Sequence, residues 1–361
     1  MTQRITLVLT AVLLGLITFG RAELGVAASG IRIGQATPFA TLAADVKFPE
    51  GIAADAAGRI YVSTFTDPSF IVKLGPGGQE LQRTAIRGAS LLGLAFNAGD
   101  LFAADFENGR ILKILNGNLS NAPEVYATLP CCNYLLPNFP PPFAKNTASP
   151  NALFFDAAGN LWVSDSFQGA IFRIPPPGCP GGDSSCVITA AQDAVLATTG
   201  FPPFGANGIA LRRGALYVAN TGNDTIVRIP LNQDLTPASY DVWAQSINGA
   251  DGIVFDKSGR LWVCANQGDE LVVLEEIDTT ADAVPVKVGR VIFKVGDFEG
   301  IVGPPQASRP KGFLFPASLV IVGHKVYVTN LALGLTPAVG DEPEEGIDLF
   351  TVVKVEGIPG L

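Results

Sequence analysis

Residues 149–166 read SPNALFFDAAGNLWVSDS. Two apolar stretches, ALFF and LWV, flank the turn sequence DAAGN, and an asparagine directly precedes the first stretch. Short apolar runs bounded by Gly, Asp and Asn are typical of antiparallel strands joined by tight turns. This arrangement recurs along the chain, and its recurrence predicts the fold.

The recurring unit is centred on a short motif in which an apolar residue is followed by an aromatic and then a small residue. Six copies lie at residues 60–62, 101–103, 161–163, 216–218, 261–263 and 326–328. An apolar stretch ending in a turn precedes each copy, and a third apolar stretch follows it. A weaker fourth strand is predicted at residues 125–129, 195–199 and 241–245. Six such units predict an all-β, six-bladed β-propeller. A β-sandwich is the alternative, but it does not require sixfold internal similarity.

The two ends of the repeat array predict how the ring closes. The sixth unit stops at a third strand, TVVKV at residues 351–355, and lacks a fourth. The sequence PFATL at residues 38–42 resembles VYATL at residues 125–129. We therefore expect the N-terminal strand to complete the last blade, so that residues 29–361 form a single propeller domain.

Composition narrows the classes of function. Of the 361 residues 48% are hydrophobic and only 16% are charged, and the net charge is −9. No basic run is present, which argues against binding to nucleic acid or to anionic lipid. The acidic charge is compatible with a bound cation, and the expected partner is a small-molecule substrate. The sequence does not determine the oligomeric state.

The N-terminus carries a targeting pattern. Arg4 precedes an apolar run from Ile5 to Phe19, and small residues follow up to Ala28. A basic start, a short apolar run and an Ala-x-Ala-like end are typical of a secretory signal peptide. The alternative is a membrane anchor, but the run is shorter than the ~20 residues that span a bilayer. We expect residues 1–28 to be a signal peptide, no stable membrane insertion, and a secreted or periplasmic protein.

The residue that precedes each first strand forms the predicted site. In a propeller the first strands line the central channel, so these six residues converge near the axis. We call them the channel ring: Glu50, Leu92, Asn151, Asn207, Asp251 and Ala317. Four are oxygen-bearing, which suits a hard cation such as Ca²⁺, with Mg²⁺ or Mn²⁺ as alternatives, better than zinc. The competing interpretation is that Asn and Asp only satisfy turn backbone groups; it explains Glu50 least well.

These residues resemble those of the regucalcin/gluconolactonase-like (SMP-30/gluconolactonase/LRE) six-bladed propellers, and more distantly the paraoxonases. The resemblance is carried by FPEGIAAD, SPNALFFD, GANGIAL and GADGIVFD, which contain Glu50, Asn151, Asn207 and Asp251 respectively. It implies a divalent metal, usually Ca²⁺, held by Glu50, Asn207 and Asp251. It further implies that Asn151 binds substrate or joins the metal ligands, and that Asp251 is the general base of a lactone hydrolase.

Two departures bear on the substrate. Gluconolactonase-type relatives carry an arginine two residues before the first asparagine, where this chain has Ser149. Paraoxonases use channel histidines, whereas His324 lies in a predicted turn on the opposite face. Small or apolar lactones and esters are therefore expected rather than sugar lactones. A non-catalytic binding module with a structural metal and a strictosidine-synthase-like enzyme remain alternatives.

Insertions and cysteines complete the sequence predictions. The inserts at 129–149 and about 279–310, and the one after Asn330, are expected on the face of the channel ring. The first is either a lid or a loop that packs down. Cys179 and Cys186 are expected to form a disulfide, Cys264 to be a buried thiol, and the adjacent cysteines at 131 and 132 to be a vicinal disulfide or two thiols.

Overall fold

The computed structural model describes residues 34–135, 145–281, 284–335 and 345–361. Six separate four-stranded antiparallel sheets are arranged as the blades of a propeller, which confirms the predicted fold class and rules out a sandwich. The predicted signal peptide, residues 1–28, lies outside the described residues. Within the described residues no helix has the length and apolar character needed to cross a membrane.

The strands follow one order in every blade, from the channel outward. The first strands are Pro49–Ala54, Leu91–Asn97, Pro150–Phe155, Ala206–Arg212, Ala250–Phe255 and Pro316–Val322. The second strands are Ile60–Thr64, Asp100–Asp105, Leu161–Asp165, Ala215–Asn220, Leu261–Ala265 and Lys325–Asn330. The third strands are Ser69–Leu74, Arg110–Ile114, Ala170–Ile174, Thr225–Pro230, Glu270–Ala281 and Thr351–Glu356.

The fourth strands form the outer edge. They are Glu80–Ile86, Glu124–Thr128, Ile188–Gln192, Asp241–Gln245, Val284–Val295 and, for blade six, Gln35–Thr41. A two-stranded ribbon pairs Ile301–Val302 with Arg309–Pro310. The described 3₁₀ segments are Leu115–Gly117, Pro180–Gly182, Ala194–Leu196, Thr221–Asn223 and Asn266–Gly268.

The last blade is closed by the N-terminal strand, as the sequence predicts. Gln35 pairs with Glu356 and Thr41 with Thr351 in an antiparallel ladder. Leu42 extends this contact, because its N–H donates to the carbonyl of Phe350 at 2.9 Å. Closure in this way joins the first and last parts of the repeat array in one sheet and leaves no gap between blades six and one.

The core lies between neighbouring blades. Six hydrophobic clusters each combine side chains from two adjacent blades. Trp162 of blade three, for example, packs with Leu216 and Val218 of blade four and is fully buried. Because both faces of each sheet are apolar, the strand sequences are nearly continuous apolar stretches.

Contacts with the turn between first and second strands explain why the repeat motif contains an aromatic residue. In blade three, the Asp156 carboxylate accepts hydrogen bonds from backbone N–H groups of the turn and from Trp162 Nε1 at 2.9 Å. Asp256 accepts the equivalent bond from Trp262 Nε1, also at 2.9 Å. The aromatic ring thus fills the interface between blades while its polar atom fixes the turn.

The sequence prediction for the fourth strand of blade three is wrong. Residues 195–199 were expected to form it, but Ile188–Gln192 does, and Ala194–Leu196 is a 3₁₀ turn. The Asp193 side chain caps this turn by accepting from Val195 N at 2.9 Å. Leu196 is fully buried there, and Asn220 Nδ2 donates to the carbonyls of residues 195 and 197. The apolar segment therefore serves as a connection packed against blade four.

The expected position of the insert at about 279–310 is also only partly correct. The third strand of blade five, Glu270–Ala281, runs well past Leu274, which is the partner of Leu261 at the start of the second strand. The hairpin beyond it therefore extends from the face opposite the channel ring. Only the segment after Val295 returns to the face of the ring.

Candidate functional site

A β-bulge in every first strand directs the channel ring toward the axis. In blade one, Pro49 pairs with Thr64 and Ile52 with Val62, so the first strand contains one extra residue at Glu50. The same shift occurs in all six blades. A bulge re-aims a side chain relative to the sheet, and here it brings six equivalent side chains to one face.

Glycines beside the bulges let neighbouring blades approach closely. A side chain at Gly51 would place its Cβ 2.1 Å from the Leu92 carbonyl oxygen, and one at Gly208 would come within 2.2 Å of that of Asp251. Backbone contact at this distance requires the absence of a side chain. The first strands can therefore pack tightly round the axis and hold the ring residues near one another.

The structure brings the four predicted oxygen-bearing residues together in one cleft. Glu50, Asn151, Asn207 and Asp251 line it and are buried, between 3% and 5% exposed. Leu92 also lines it, while Ala317 lies buried behind Phe315 and Leu331. The cleft is small, with a cavity volume of about 40 Å³, which accommodates an ion and a few waters.

A second ring of residues was missed by the sequence reasoning. It consists of the first residue after each second strand: Phe65, Phe106, Ser166, Thr221, Asn266 and Leu331. In every blade the N–H of this residue donates to the carbonyl that lies just before the first strand, at 2.9 to 3.3 Å. In the aligned repeats these six residues occupy the same position, so the second ring could have been recognised from the sequence.

The polar members of the second ring orient the ring residue of their own blade. Asn151 Nδ2 donates to Ser166 Oγ at 3.0 Å, and Asn207 Nδ2 donates to Thr221 Oγ1 at 2.9 Å. Both hydroxyls donate their own hydrogen to a carbonyl of the next blade. A hydroxyl has one hydrogen, so each must accept from the amide nitrogen, which sets the amide orientation.

Asn266 is the second-ring residue that orients Asp251. Its Nδ2 donates to Asp251 Oδ2 at 3.1 Å. Its Oδ1 points toward Gly249, where an added Cβ would lie only 1.8 Å away. Gly249 also has a positive φ of 65°, so both its conformation and the space beside it favour glycine. The bond to Asp251 Oδ2 therefore orients the two side chains relative to each other, and Gly249 leaves the space that Asn266 Oδ1 occupies.

Two carboxylate oxygens at the site have no hydrogen-bond partner among the described residues. They are Glu50 Oε2 and Asp251 Oδ1, and both are buried. Burial raises the pKa of Asp251 to about 7, and the side-chain amides of Asn266 and Asn207 oppose this increase. Burial, followed by repulsion from Asp251, raises the pKa of Glu50 well above its usual value. Buried carboxylates without a cationic partner are costly, so this geometry favours a bound cation.

Below these residues the channel is apolar. The first strands present six aliphatic side chains, each between 5% and 9% exposed: Ile52, Leu94, Leu153, Ile209, Ile253 and Leu319. This aliphatic surrounding explains why burial is the main cause of the raised pKa of both carboxyl groups.

The other residues singled out from the sequence lie away from the cleft or support it. Ser149 is buried, and its N–H donates to Asp165 Oδ2 at 2.7 Å. His324 lies exposed in the turn between first and second strands of blade six, beside the carbonyl of Leu361. Cys264 is a buried free thiol whose pKa is raised, mainly by burial.

The cysteines are otherwise paired. Cys179 and Cys186 are joined by a disulfide with 5.2 Å between their Cα atoms, in the connection between third and fourth strands of blade three. The adjacent residues Cys131 and Cys132 are joined as well.

The insert at 129–149 was expected to be either a lid or a packed loop. Residues 136–144 of it lie outside the described residues. In the described part, Tyr134 packs with Leu92 and Phe106, and its hydroxyl donates to the carbonyl of Lys145 at 2.6 Å. That part of the insert is therefore packed down beside the cleft.

The sequence matches no protein-family model and no curated protein. Solved structures do resemble it. A luciferin-regenerating enzyme is 16% identical, with a TM-score of 0.61 over 90% of this chain and 96% of that one. A gluconolactonase from Xanthomonas campestris is 15% identical, with a TM-score of 0.55 over 91% and 93%. Regucalcin from Agrobacterium tumefaciens, a calcium-binding protein, is 16% identical, with a TM-score of 0.55 over 89% and 96%. The chain therefore has the six-bladed propeller fold of these three proteins.

Proposed function

We propose that the protein is an exported, divalent-metal-dependent hydrolase of lactones or related esters. One observation carries this proposal: Glu50, Asn151, Asn207 and Asp251 converge in one cleft, where a carboxylate oxygen of Glu50 and one of Asp251 are buried and have no hydrogen-bond partner in the described part of the chain. The similarity in fold to a gluconolactonase and to a calcium-binding protein supports the same conclusion. Export rests on the pattern in residues 1–28 of the sequence.

The donor chemistry fits a hard divalent cation. Glu50, Asn207 and Asp251 would hold it through carboxylate and amide oxygens, which Ca²⁺ prefers, and Mg²⁺ or Mn²⁺ are alternatives. The described residues that line the cleft include no Lys, Arg or His, so none of their side chains offsets the two carboxylates. A divalent cation would offset both negative charges. Asn151, which lines the same cleft, would contact the substrate or join the metal ligands.

A bound divalent cation would supply the positive charge that polarises a carbonyl oxygen and stabilises the negative charge developing on it. The chain itself supplies the base. Asp251 accepts a proton from the water that attacks the carbonyl carbon, while Asn266 holds its Oδ2 in place. The bond from the carbonyl carbon to the ester oxygen then breaks. That oxygen takes a proton, which Asp251 can return, and a hydroxy acid leaves.

The test uses the purified full chain, stripped of metal and reloaded with Ca²⁺, against a panel of lactones and esters at pH 7 to 9. We expect metal-dependent turnover that rises with pH, since the base must be deprotonated. Asp251→Asn should lower kcat by about 100-fold or more, while the exposed Asp183→Asn should change it less than twofold. A protein stabilised by metal but inert toward the whole panel would instead be a binding module, and the hydrolase proposal would be rejected.

A further inference from the structure

The cleft is lined by apolar as well as polar side chains. Seven of the thirteen lining residues are apolar, and we call them the collar: Phe65, Leu92, Pro202, Phe204, Phe315, Leu331 and Leu333. They come from blades one, two and six and from the connection into blade four. The polar lining residues are the four oxygen-bearing ring residues with Thr221 and Asn266. A ligand bound beside the polar lining residues would therefore also contact apolar side chains.

The collar is one connected surface. Phe65 belongs both to a cluster with Leu92, Phe106 and Phe204 and to a second cluster with Phe315 and Leu331. Phe65, Phe204 and Leu333 are only partly buried. These three side chains therefore retain apolar surface that a ligand would cover.

Aromatic packing holds the collar in a defined shape. The ring centroid of Phe106 lies 5.9 Å from that of Phe65 and 6.0 Å from that of Phe204. Phe167 lies behind them, 5.5 Å from both Phe106 and Phe204. Because Phe106 and Phe167 are buried, they support the two partly exposed rings from behind. The wall is thus preformed, which reduces the entropy lost when a ligand binds.

The charges of the site favour a neutral ligand. Two carboxylates face a divalent cation in the proposed site, so their formal charges cancel. Among the lining residues that the structure describes, none has a basic side chain that would pair with an anionic substrate. A polyhydroxylated sugar would place its hydroxyl groups against the collar without partners, which costs binding energy. An alkyl or aryl group at the same place would instead gain from burial.

We propose that the collar selects neutral lactones or esters that carry an alkyl or aryl substituent, with Phe65 and Phe204 as specificity-determining residues. The chemical class of the reacting group rests on the proposed hydrolase function, whereas the preference for an apolar body rests on the collar alone.

Substrate preference is measured with δ-lactones, which all have the same six-membered lactone ring and differ in their substituents. The series is glucono-δ-lactone, δ-valerolactone, δ-nonalactone and δ-dodecalactone, with the Ca²⁺-loaded full chain. We expect kcat/KM to increase about threefold to fourfold for each of the first methylene groups that the collar covers. Glucono-δ-lactone should be the poorest substrate. A higher kcat/KM for glucono-δ-lactone than for δ-nonalactone would overturn the inference and leave the hydrolase proposal standing.

A pair of phenylalanines in one loop provides a matched control. Phe204 lines the cleft, whereas Phe201, three residues earlier, is 41% exposed and does not. Phe204→Ser should lower kcat/KM for δ-dodecalactone about tenfold and leave that for δ-valerolactone within about twofold. Phe204→Leu should retain most of the preference, and Phe201→Ser should change neither value. The Ca²⁺-dependent increase in Tm, measured for each variant, verifies that the site is intact. An equal loss on both lactones with Phe204→Ser would contradict the assignment.

Binding without chemistry separates this inference from the proposed function. The probe is 2-heptylcyclohexanone, a ketone that cannot be hydrolysed, titrated into the Ca²⁺-loaded protein by calorimetry. If the lactones are not turned over but the ketone binds, and binds more weakly to Phe204→Ser than to Phe201→Ser, the apolar collar is supported and the hydrolase proposal fails. If the ketone shows no binding while lactones are turned over, the collar does not select the substrate.

Discussion

Thr329 and Glu50 are 279 residues apart in sequence, yet Thr329 Oγ1 donates a hydrogen bond of 2.6 Å to the Glu50 carbonyl oxygen. Thr329 belongs to the second strand of blade six and Glu50 to the first strand of blade one. Ser63 makes the equivalent bond from blade one to the Leu92 carbonyl of blade two. Closure of the propeller is thus connected directly to the backbone of a proposed metal ligand.

Thr329→Val should destabilise the protein because it leaves the buried carbonyl of Glu50 without this donor. We expect a loss of about 1–3 kcal/mol in the free energy of unfolding, measured by urea denaturation, together with weaker Ca²⁺ binding. Thr84→Val, at a half-buried position of the outer strand of blade one, is the matched control and should change both quantities little. Equal effects of the two substitutions would contradict the role assigned to Thr329.

Removing either carboxylate should weaken metal binding. Glu50→Gln and Asp251→Asn each replace an anionic oxygen by an amide, and we expect the Kd for Ca²⁺ to rise about 100-fold or more, measured by calorimetry. A chelator should lower the Tm of the wild-type chain, since a ligand that binds only the folded state stabilises it. Wild-type affinity in both variants would show that the site is wrongly placed.

The pH dependence of stability should differ between the metal-free and metal-loaded protein. Burial raises the pKa of Asp251 to about 7 from an ordinary value of 3.8, so the folded state binds more protons than the unfolded state between these values. Without metal, the free energy of unfolding should therefore fall as pH rises from about 4 to about 7, and the raised pKa of Glu50 should add to this fall. Excess Ca²⁺ should reduce or remove this fall, because it compensates the ionised carboxylates. Urea denaturation across this range, with chelator and with Ca²⁺, measures both curves; identical slopes would argue against a cation beside Asp251.

Disturbing Asn266 should move the pH profile of the reaction. Its hydrogen bond lowers the pKa of Asp251, so Asn266→Ala should raise that pKa and shift the rising limb of kcat/KM to higher pH. Gly249→Ala should act in the same direction, because its methyl group would collide with Asn266 Oδ1. Gly214→Ala is the control: its φ of 71° is similar, but nothing lies within 4 Å of an added Cβ. A profile shift with Gly214→Ala would mean that backbone strain alone is responsible.

The disulfide between Cys179 and Cys186 should contribute to stability without affecting the site. Peptide mapping without reduction should recover the two cysteines linked to each other, and not to Cys131 or Cys132. Replacing both by alanine should cost about 2 kcal/mol in the free energy of unfolding. Because the loop lies on the face opposite the cleft, the affinity for Ca²⁺ should not change. A linked peptide containing Cys179 and Cys132 would contradict this assignment.

The sequence by itself was sufficient to predict the six repeats, the propeller fold, and the position of the channel-ring residue in each repeat. The six aromatic motifs and the similarity of PFATL to VYATL were enough, because strand period and turn residues are local properties of the chain. The same phase placed Glu50, Asn151, Asn207 and Asp251 at equivalent positions. Local pattern failed at residues 195–199, where an apolar segment that reads as a strand is buried as a connection against blade four.

Only the tertiary structure decided how the site is organised. The bonds from Asn266 to Asp251, from Ser166 to Asn151 and from Thr221 to Asn207 depend on the bulge that sets each ring residue opposite the end of the second strand. The collar depends on residues from three blades and one connecting loop, whose contacts no local pattern encodes. The raised pKa of Asp251 arises from burial, and burial depends on which distant residues pack around a group rather than on its neighbours in sequence.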